Sequence, residues 1–287
     1  MEKRFGLIWH HKGETNGYHD LLAGHIISDE TRTVEQYSYK AELRYVWMDR
    51  MISAGYSNWF WDHKTIVGGM TFNPVIYLFR PSYIYAPFGF WRMVIDPKKR
   101  NETEKYVKER VTVEDSIAQK NPYAYLPGLN AHLRYECYNK KLDALKSKQL
   151  TGTDLCLAFL SEVSKFFDEA PITAHECRHA IDQKYFPRKF DSPELEFHAK
   201  LSEVVFSSDP KLAFCNLNSP YLGDSSPHGQ ADLRIMKIVV AWMGKNINEI
   251  SGADKSRPLL PQFYLLTDNQ IRRMFQNADP LTNNKND

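Results

Sequence analysis

The chain has 287 residues, of which 43% are hydrophobic and 25% charged, and a formal net charge of +2. That balance is ordinary for a globular protein whose core can stand without disulfide staples, and it gives no electrostatic case for binding nucleic acid or an anionic membrane surface. Lysines and arginines are scattered, and the densest run, Lys98-Lys99-Arg100, reads as a solvated turn. Cys137, Cys156, Cys177 and Cys215 are well separated, with no C-x-x-C pair, and are expected as reduced, buried thiols.

Met1 to Trp9 carries charges but no apolar run of leader length, and no later stretch approaches a membrane span. The expectation is a cytoplasmic protein; export by a route that needs no cleavable leader fits the same sequence.

In chain order, a helix is expected over about Val34 to Ser53. Aromatic and apolar runs follow: Asn58-Trp59-Phe60-Trp61, Val75 to Phe79, Tyr83 to Pro87 and Phe88 to Ile95. Bounded by Gly68-Gly69, Asn73-Pro74 and Arg80-Pro81, the later runs read as strands of an antiparallel sheet. From Pro97 the texture turns to helical spacing, with helices predicted over Glu102–Lys120, Gly128–Lys148 and Thr153–Glu169. Further helices are predicted over Pro171–Tyr185, Ser192–Ser207 (Ser192 as cap, Pro193 in the first turn), Gln230–Asn246 and Asp268–Gln276. Asn277 to Asp287 reads as a frayed polar tail.

The segment His175-Glu176-Cys177-Arg178-His179 contains His-Glu-x-x-His. Positions i and i+4 of a helix project from one face, so His175 and His179 can offer two imidazole nitrogens to one Zn²⁺. Glu176, on the flank of that face, can take a proton from water activated by the metal. Composition alone would produce this pattern in roughly 2% of chains of this length. On a helical wheel His175, Glu176, His179, Asp182 and Gln183 share a polar sector, opposite Ala174, Cys177, Ala180 and Ile181. Cys177 therefore reads as core. The bland alternative is a solvated surface helix, with Thr173 and Glu176 forming a capping box.

A third protein ligand is required, leaving one position open. Asp182 and Tyr185 stand where one metallopeptidase subclass has Gly and then His or Asp, which removes that subclass. On the next predicted helix, apolar residues surround a narrow strip of Glu196, Lys200 and Glu203, so the helix is expected to be buried. Buried carboxylates need a partner, and a metal held by the neighbouring helix is one. Glu196 is the expected third ligand, because Ala199 leaves room for a second helix to approach. An ordinary Glu196–Lys200 pair is the alternative. Glu203 is then an acceptor for a ligand imidazole, or the ligand itself if the helix is rotated. His198 faces away from Glu196 and reads as a packing or surface histidine. Asp182 could orient His179 through its other ring nitrogen.

His175-Glu176-Cys177-Arg178-His179, followed by Glu196-Phe197-His198-Ala199 on a second helix, resembles the gluzincin metallopeptidases. In these the third zinc ligand is a Glu from a downstream helix. The resemblance covers about 30 residues of the chain, and implies His175, His179 and Glu196 as ligands and Glu176 as general base. The fuller Asn-Glu-x-x-Ser-Asp form of the Glu helix is absent, which leaves subfamily and substrate open. Peptide deformylases share the five-residue signature but need an upstream Glu-Gly-Cys-Leu, which Tyr135-Glu136-Cys137-Tyr138 does not supply.

Hydrolysis also needs a donor for the oxyanion. Candidates are His228, in the Pro/Gly-bounded loop Ser225 to Gly229, and Tyr185 and Tyr221. Together these features predict an α+β protein: a strand-rich part over residues 1–97 packed on a mostly helical, zincin-like catalytic part over 98–287, as two domains or one continuous domain. The expected activity is zinc-dependent hydrolysis of peptide bonds in a peptide or protein substrate, with no nucleic-acid or membrane partner. The alternatives are a non-catalytic zincin-like binding protein and a secreted protease effector with one protein target. No pattern encodes the oligomeric state.

Overall fold

A computed structural model of the chain describes residues 6–15, 18–49, 52–53, 69–72 and 75–283. The run Asn58–Trp61 lies outside these residues. The fold is α+β, strand-rich at its N-terminal end and helical thereafter, and it divides into two compact units, Met1–Pro87 and Phe88–Asp287.

In the first unit, β1 (Leu7–Thr15), β2 (Tyr18–Gln36), β3 (Tyr39–Met48), β6 (Val75–Phe79) and β5 (Gly69–Phe72) are neighbours in that order, and the two-residue β4 (Ile52–Ser53) pairs with β2. The sheet is mixed rather than antiparallel, because β6 runs parallel to β3, with Arg44 opposite Val75 and Met48 opposite Phe79.

The helix expected over Val34–Ser53 is instead a long hairpin, paired from Ile26↔Met48 to Gln36↔Tyr39. Tyr37 and Ser38 make its turn, with φ of 51° and 76°. Two successive left-handed residues give the twist that a two-residue hairpin requires. Ala41, Leu43 and Tyr45 are buried at period 2 while Glu42 and Arg44 are not, so pleated burial overrides the helix propensity of this segment.

Val75–Phe79 is a strand as predicted, but Tyr83–Pro87 and Phe88–Ile95 are not. They form one helix, α1 (Arg80–Ile95), with Pro81 in its first turn and Pro87 inside it. Its later residues pack at helical spacing within the second unit. Val94 is fully buried, the Phe90 ring stacks on Tyr138 at 4.3 Å, and Trp91 meets Phe159 at 5.4 Å. Side chains three and four apart meet one core, which a strand with its period of two could not achieve.

The helices of the second unit follow the predicted spacing closely: α2 (Pro97–Lys120), α3 (Pro127–Ser147), α4 (Gly152–Phe167), α5 (His175–Tyr185) and α6 (Ser192–Val205). Lys98-Lys99-Arg100 is exposed as expected, but in the first turn of α2. An additional helix, α7 (Pro210–Leu217), follows α6. Then come α8 (Pro227–Lys245), α9 (Asp268–Ala278) and the short α10 (Pro280–Asn283). The expected frayed tail is thus ordered through Asn283, with Asp279 and Leu281 buried.

All four cysteines are free, and three, Cys177 among them, are buried. No helix among the described residues is long and apolar enough to cross a membrane.

Candidate metal centre

The segment before the motif is a π-helical turn, Asp168–Ala174, containing Pro171. Proline has no N–H to give to the ladder, so the turn widens there, and the His175 amide bonds back to the Ala170 carbonyl. Thr173 forms no capping box: its hydroxyl is buried without a hydrogen bond.

From the end of that turn α5 presents His175 and His179 one turn apart. Their Nε2 atoms face each other at 3.2 Å, and the rings stand edge to face. The second helix, α6, is capped by Asp191 rather than Ser192 and is buried from Phe197 through Val205. It packs on α5 and brings Glu196 to the pair, with carboxylate oxygens 3.4 Å from His175 Nε2 and 3.6 Å from His179 Nε2. Ligand atoms of His175, His179 and Glu196 all lie within 4.8 Å of one another.

These separations fit a metal. Tetrahedral Zn²⁺ with bonds of about 2.0–2.1 Å sets its donor atoms roughly 3.3–3.4 Å apart. Two facing imidazole nitrogens, and a buried Glu196 Oε2 with no well-aligned donor among the described residues, are also what a cation between them would satisfy.

Electrostatics point the same way. Burial alone would disfavour a charged His175, but Glu196 at one ring nitrogen and Glu203 at the other outweigh it and push its pKa up to about 10. Burial and the neighbouring charge of His175 push His179 down to about 4. Burial opposes ionisation of Glu196 as well, yet contacts with His175 and His228 hold it well below the usual carboxylate range. The site is thus a cation-seeking pocket, whether the cation is a proton or a metal.

Glu203 lies on the far side of His175, its Oε2 3.5 Å from Nδ1. Its Oε1 accepts a hydrogen bond of 2.6 Å from Asn216 Nδ2 on α7. Glu196 faces the two Nε2 atoms, and Glu203 faces the opposite side of the His175 ring. The expected alternative, a Glu196–Lys200 pair, is not formed. Lys200 turns to α8 and meets Asp232 at 2.7 Å, both of them buried.

Two expectations are corrected and one pair of alternatives is decided. Asp182 does not orient His179: it is fully buried, accepting from Arg178 Nε and facing His198 Nδ1, each at 2.9 Å. The wheel could not separate it from the histidines, because only the packing of α6 shows which part of the polar sector is covered. Of the two readings of His198, packing or surface, the first holds: it is wholly buried. His228 is not in a loop but at the second position of α8, which Ser226 caps.

His228 is 58% exposed, its Nδ1 2.9 Å from Glu196 Oε2 and its ring stacked 6.3 Å from that of His175. Gly229 holds this helix start close to the preceding turn, since a Cβ there would collide with Asp224 Oδ1 and the Tyr221 carbonyl. Tyr221 lies in that turn and is exposed. Tyr185 is six residues beyond His179, about 9 Å further along the helix axis, so α5 does not carry it to the cluster. Glu176 is half-buried beside His175 on the same helix.

Sequence reasoning missed Asn216, because α7 was not foreseen. The signal was there: Asp209 before Pro210 is a cap followed by proline in the first turn, and Asp209 Oδ1 does accept from the Leu212 amide. Comparisons of the chain with protein-family models, with curated proteins and with solved structures found no match.

Proposed function

We propose that this protein is a zinc-dependent metallopeptidase of the gluzincin type, with His175, His179 and Glu196 as metal ligands. The observation that carries the reading is the convergence of two motif nitrogens and one carboxylate from the next helix at tetrahedral donor spacing. A bound Zn²⁺ supplies Lewis acidity toward a substrate carbonyl and makes water acidic enough to ionise near neutral pH.

The remaining work belongs to side chains of this chain. Glu176 accepts the proton of the attacking water and returns it to the leaving amine. Glu203, held by Asn216, fixes the ring of His175 so that Nε2 faces His179 and Glu196. His228 stands at the exposed side with Nδ1 toward Glu196, and in its imidazolium form, with both ring nitrogens protonated, it has an Nε2–H to donate to the oxyanion. Counting Glu176, Glu196 and Glu203, three carboxylates exceed the charge of one dication by a single negative charge, so the cluster favours metal over a neutral occupant.

The test has two arms. Purified wild type should carry near one zinc per chain and Glu196→Ala much less; absence of zinc in both after reconstitution refutes the site. Glu176→Gln should keep its zinc and lose hydrolysis of a peptide library. A wild type that binds zinc but cuts no peptide would favour the non-catalytic binding protein, and cleavage confined to one protein would favour the effector.

A further inference from the structure

Arg178 occupies the last variable place of the motif, next to His179, and is completely buried. A buried guanidinium without counter-charge is strongly unfavourable, so its partners matter. Nε donates to Asp182 Oδ1, one turn on, at 2.9 Å. Nη1 donates to both oxygens of Asp279, at 2.9 and 2.7 Å, across 101 residues of sequence. Asp279 ends α9 and is itself held by the Leu281 amide, 3.0 Å from Oδ1.

The line continues towards the second ligand helix. Asp182 Oδ2 is 2.9 Å from His198 Nδ1, and His198 Nε2 lies 3.2 Å from Glu194 Oε1, a proximity without an aligned hydrogen bond. Glu194 in turn meets Arg234 of α8 at 2.5 Å. The network therefore touches α5, which bears His175 and His179, α6, which bears Glu196, and α8, which bears His228. His198, two residues beyond Glu196, is about 200° round the helix, so the chain of charges sits behind the ligands.

Stability alone does not account for it. Buried ion pairs are commonly matched or bettered by apolar residues, and Arg178 Nη2 is left buried with no hydrogen-bond partner. What a planar guanidinium between two carboxylates does supply is direction, because its donors have fixed angles. A metal site tolerates only about 10–20° of ligand misalignment.

We propose that Arg178, Asp182 and Asp279 are positioning residues for the metal centre, by which the C-terminal turn sets the rotation of the helix carrying both histidines against the helix carrying Glu196. The inference rests on the metal-centre reading above.

The test uses full-length protein, stripped of metal and titrated with Zn²⁺ against a chromophoric chelator and with Co²⁺ by absorption. Asp279→Asn should weaken Zn²⁺ roughly ten- to a hundredfold and alter the Co²⁺ ligand-field bands. Asp279→Glu, which keeps the carboxylate, should recover most of the affinity. Met274→Ala loosens the same C-terminal helix through its apolar face and should leave both readouts as in wild type. If Asp279→Asn fails to fold, Asp182→Asn carries the same test. A folded Asp279 or Asp182 variant with wild-type affinity and spectrum overturns the proposal, as does Met274→Ala weakening metal equally at equal loss of stability. Failure of wild type to bind either metal refutes the site itself, a result distinct from both.

Discussion

Replacing Glu203 by Gln removes one charge behind His175 and one of the two acceptor oxygens that face His175 Nδ1 and Asn216 Nδ2. Glu203 Oε2 is 3.5 Å from His175 Nδ1, in a place that is almost wholly buried. At an effective dielectric of about 20, a full ion pair at that separation is worth at most about 5 kcal/mol. The displacement of the His175 pKa from 6.5 to about 10 also corresponds to about 5 kcal/mol, but that sum is shared with Glu196 and Glu176 and is net of burial. Gln keeps an amide oxygen for Nδ1, so only part of the Glu203 share is lost. The expected loss of zinc affinity is about 1.4–2.8 kcal/mol, or ten- to a hundredfold.

Competition against a chromophoric chelator at fixed pH reads this directly. An unchanged affinity would refute the role given to Glu203, and complete loss of binding would make Glu203 the ligand in place of Glu196. The metal-free protein gives a second reading. A histidine whose folded pKa is raised contributes stability that is full below about 6.5 and lost as pH rises through about 10. Metal-free wild type should therefore melt at progressively lower temperature across that window. In Glu203→Gln the fall should begin at the same pH but end at a lower one and be smaller in total, because only the folded pKa of His175 is reduced.

Two further substitutions probe the supports of the site. Lys200→Met leaves Asp232 buried without its cation and should destabilise the fold by about 3–5 kcal/mol in denaturant titration; burial already raises the Asp232 pKa, so the deficit should shrink as pH falls and that carboxylate takes up a proton. A deficit that does not change with pH would refute the pairing. Gly229→Ala forces the Tyr221–Asp224 turn away from the start of α8 and shifts His228, so peptide turnover should fall while zinc content holds; unchanged turnover would remove His228 from the oxyanion role.

The parts of the site that were legible in the sequence are those with short-range grammar. His175 and His179 at i and i+4 share a face in any helix, and a charged strip on an otherwise apolar helix marks Glu196 and Glu203 as needing a partner. The same reasoning failed where the periodic signal was ambiguous. Tyr37-Ser38 lacks the Asn-Gly stamp of a hairpin turn, so the Gln36–Tyr39 reversal was hidden inside a plausible helix. The aromatic run Tyr83–Ile95 looked like strands because bulky residues favour both buried helices and sheets.

The sequence by itself determined the chemistry on offer: two imidazoles, a flanking carboxylate, a further carboxylate on the next helix, and free thiols far apart. Tertiary structure alone decided which of the polar residues gather at the His175–His179 pair and which pack behind it. Asp182 and His179 lie in one sector of the same helix, yet packing of α6 sends the first to Arg178 and His198 and leaves the second beside Glu196. Asp279 reaches Arg178 from 101 residues away. Such contacts leave no trace in local periodicity, because they are set by which helix faces the core buries together, and that depends on the whole chain at once.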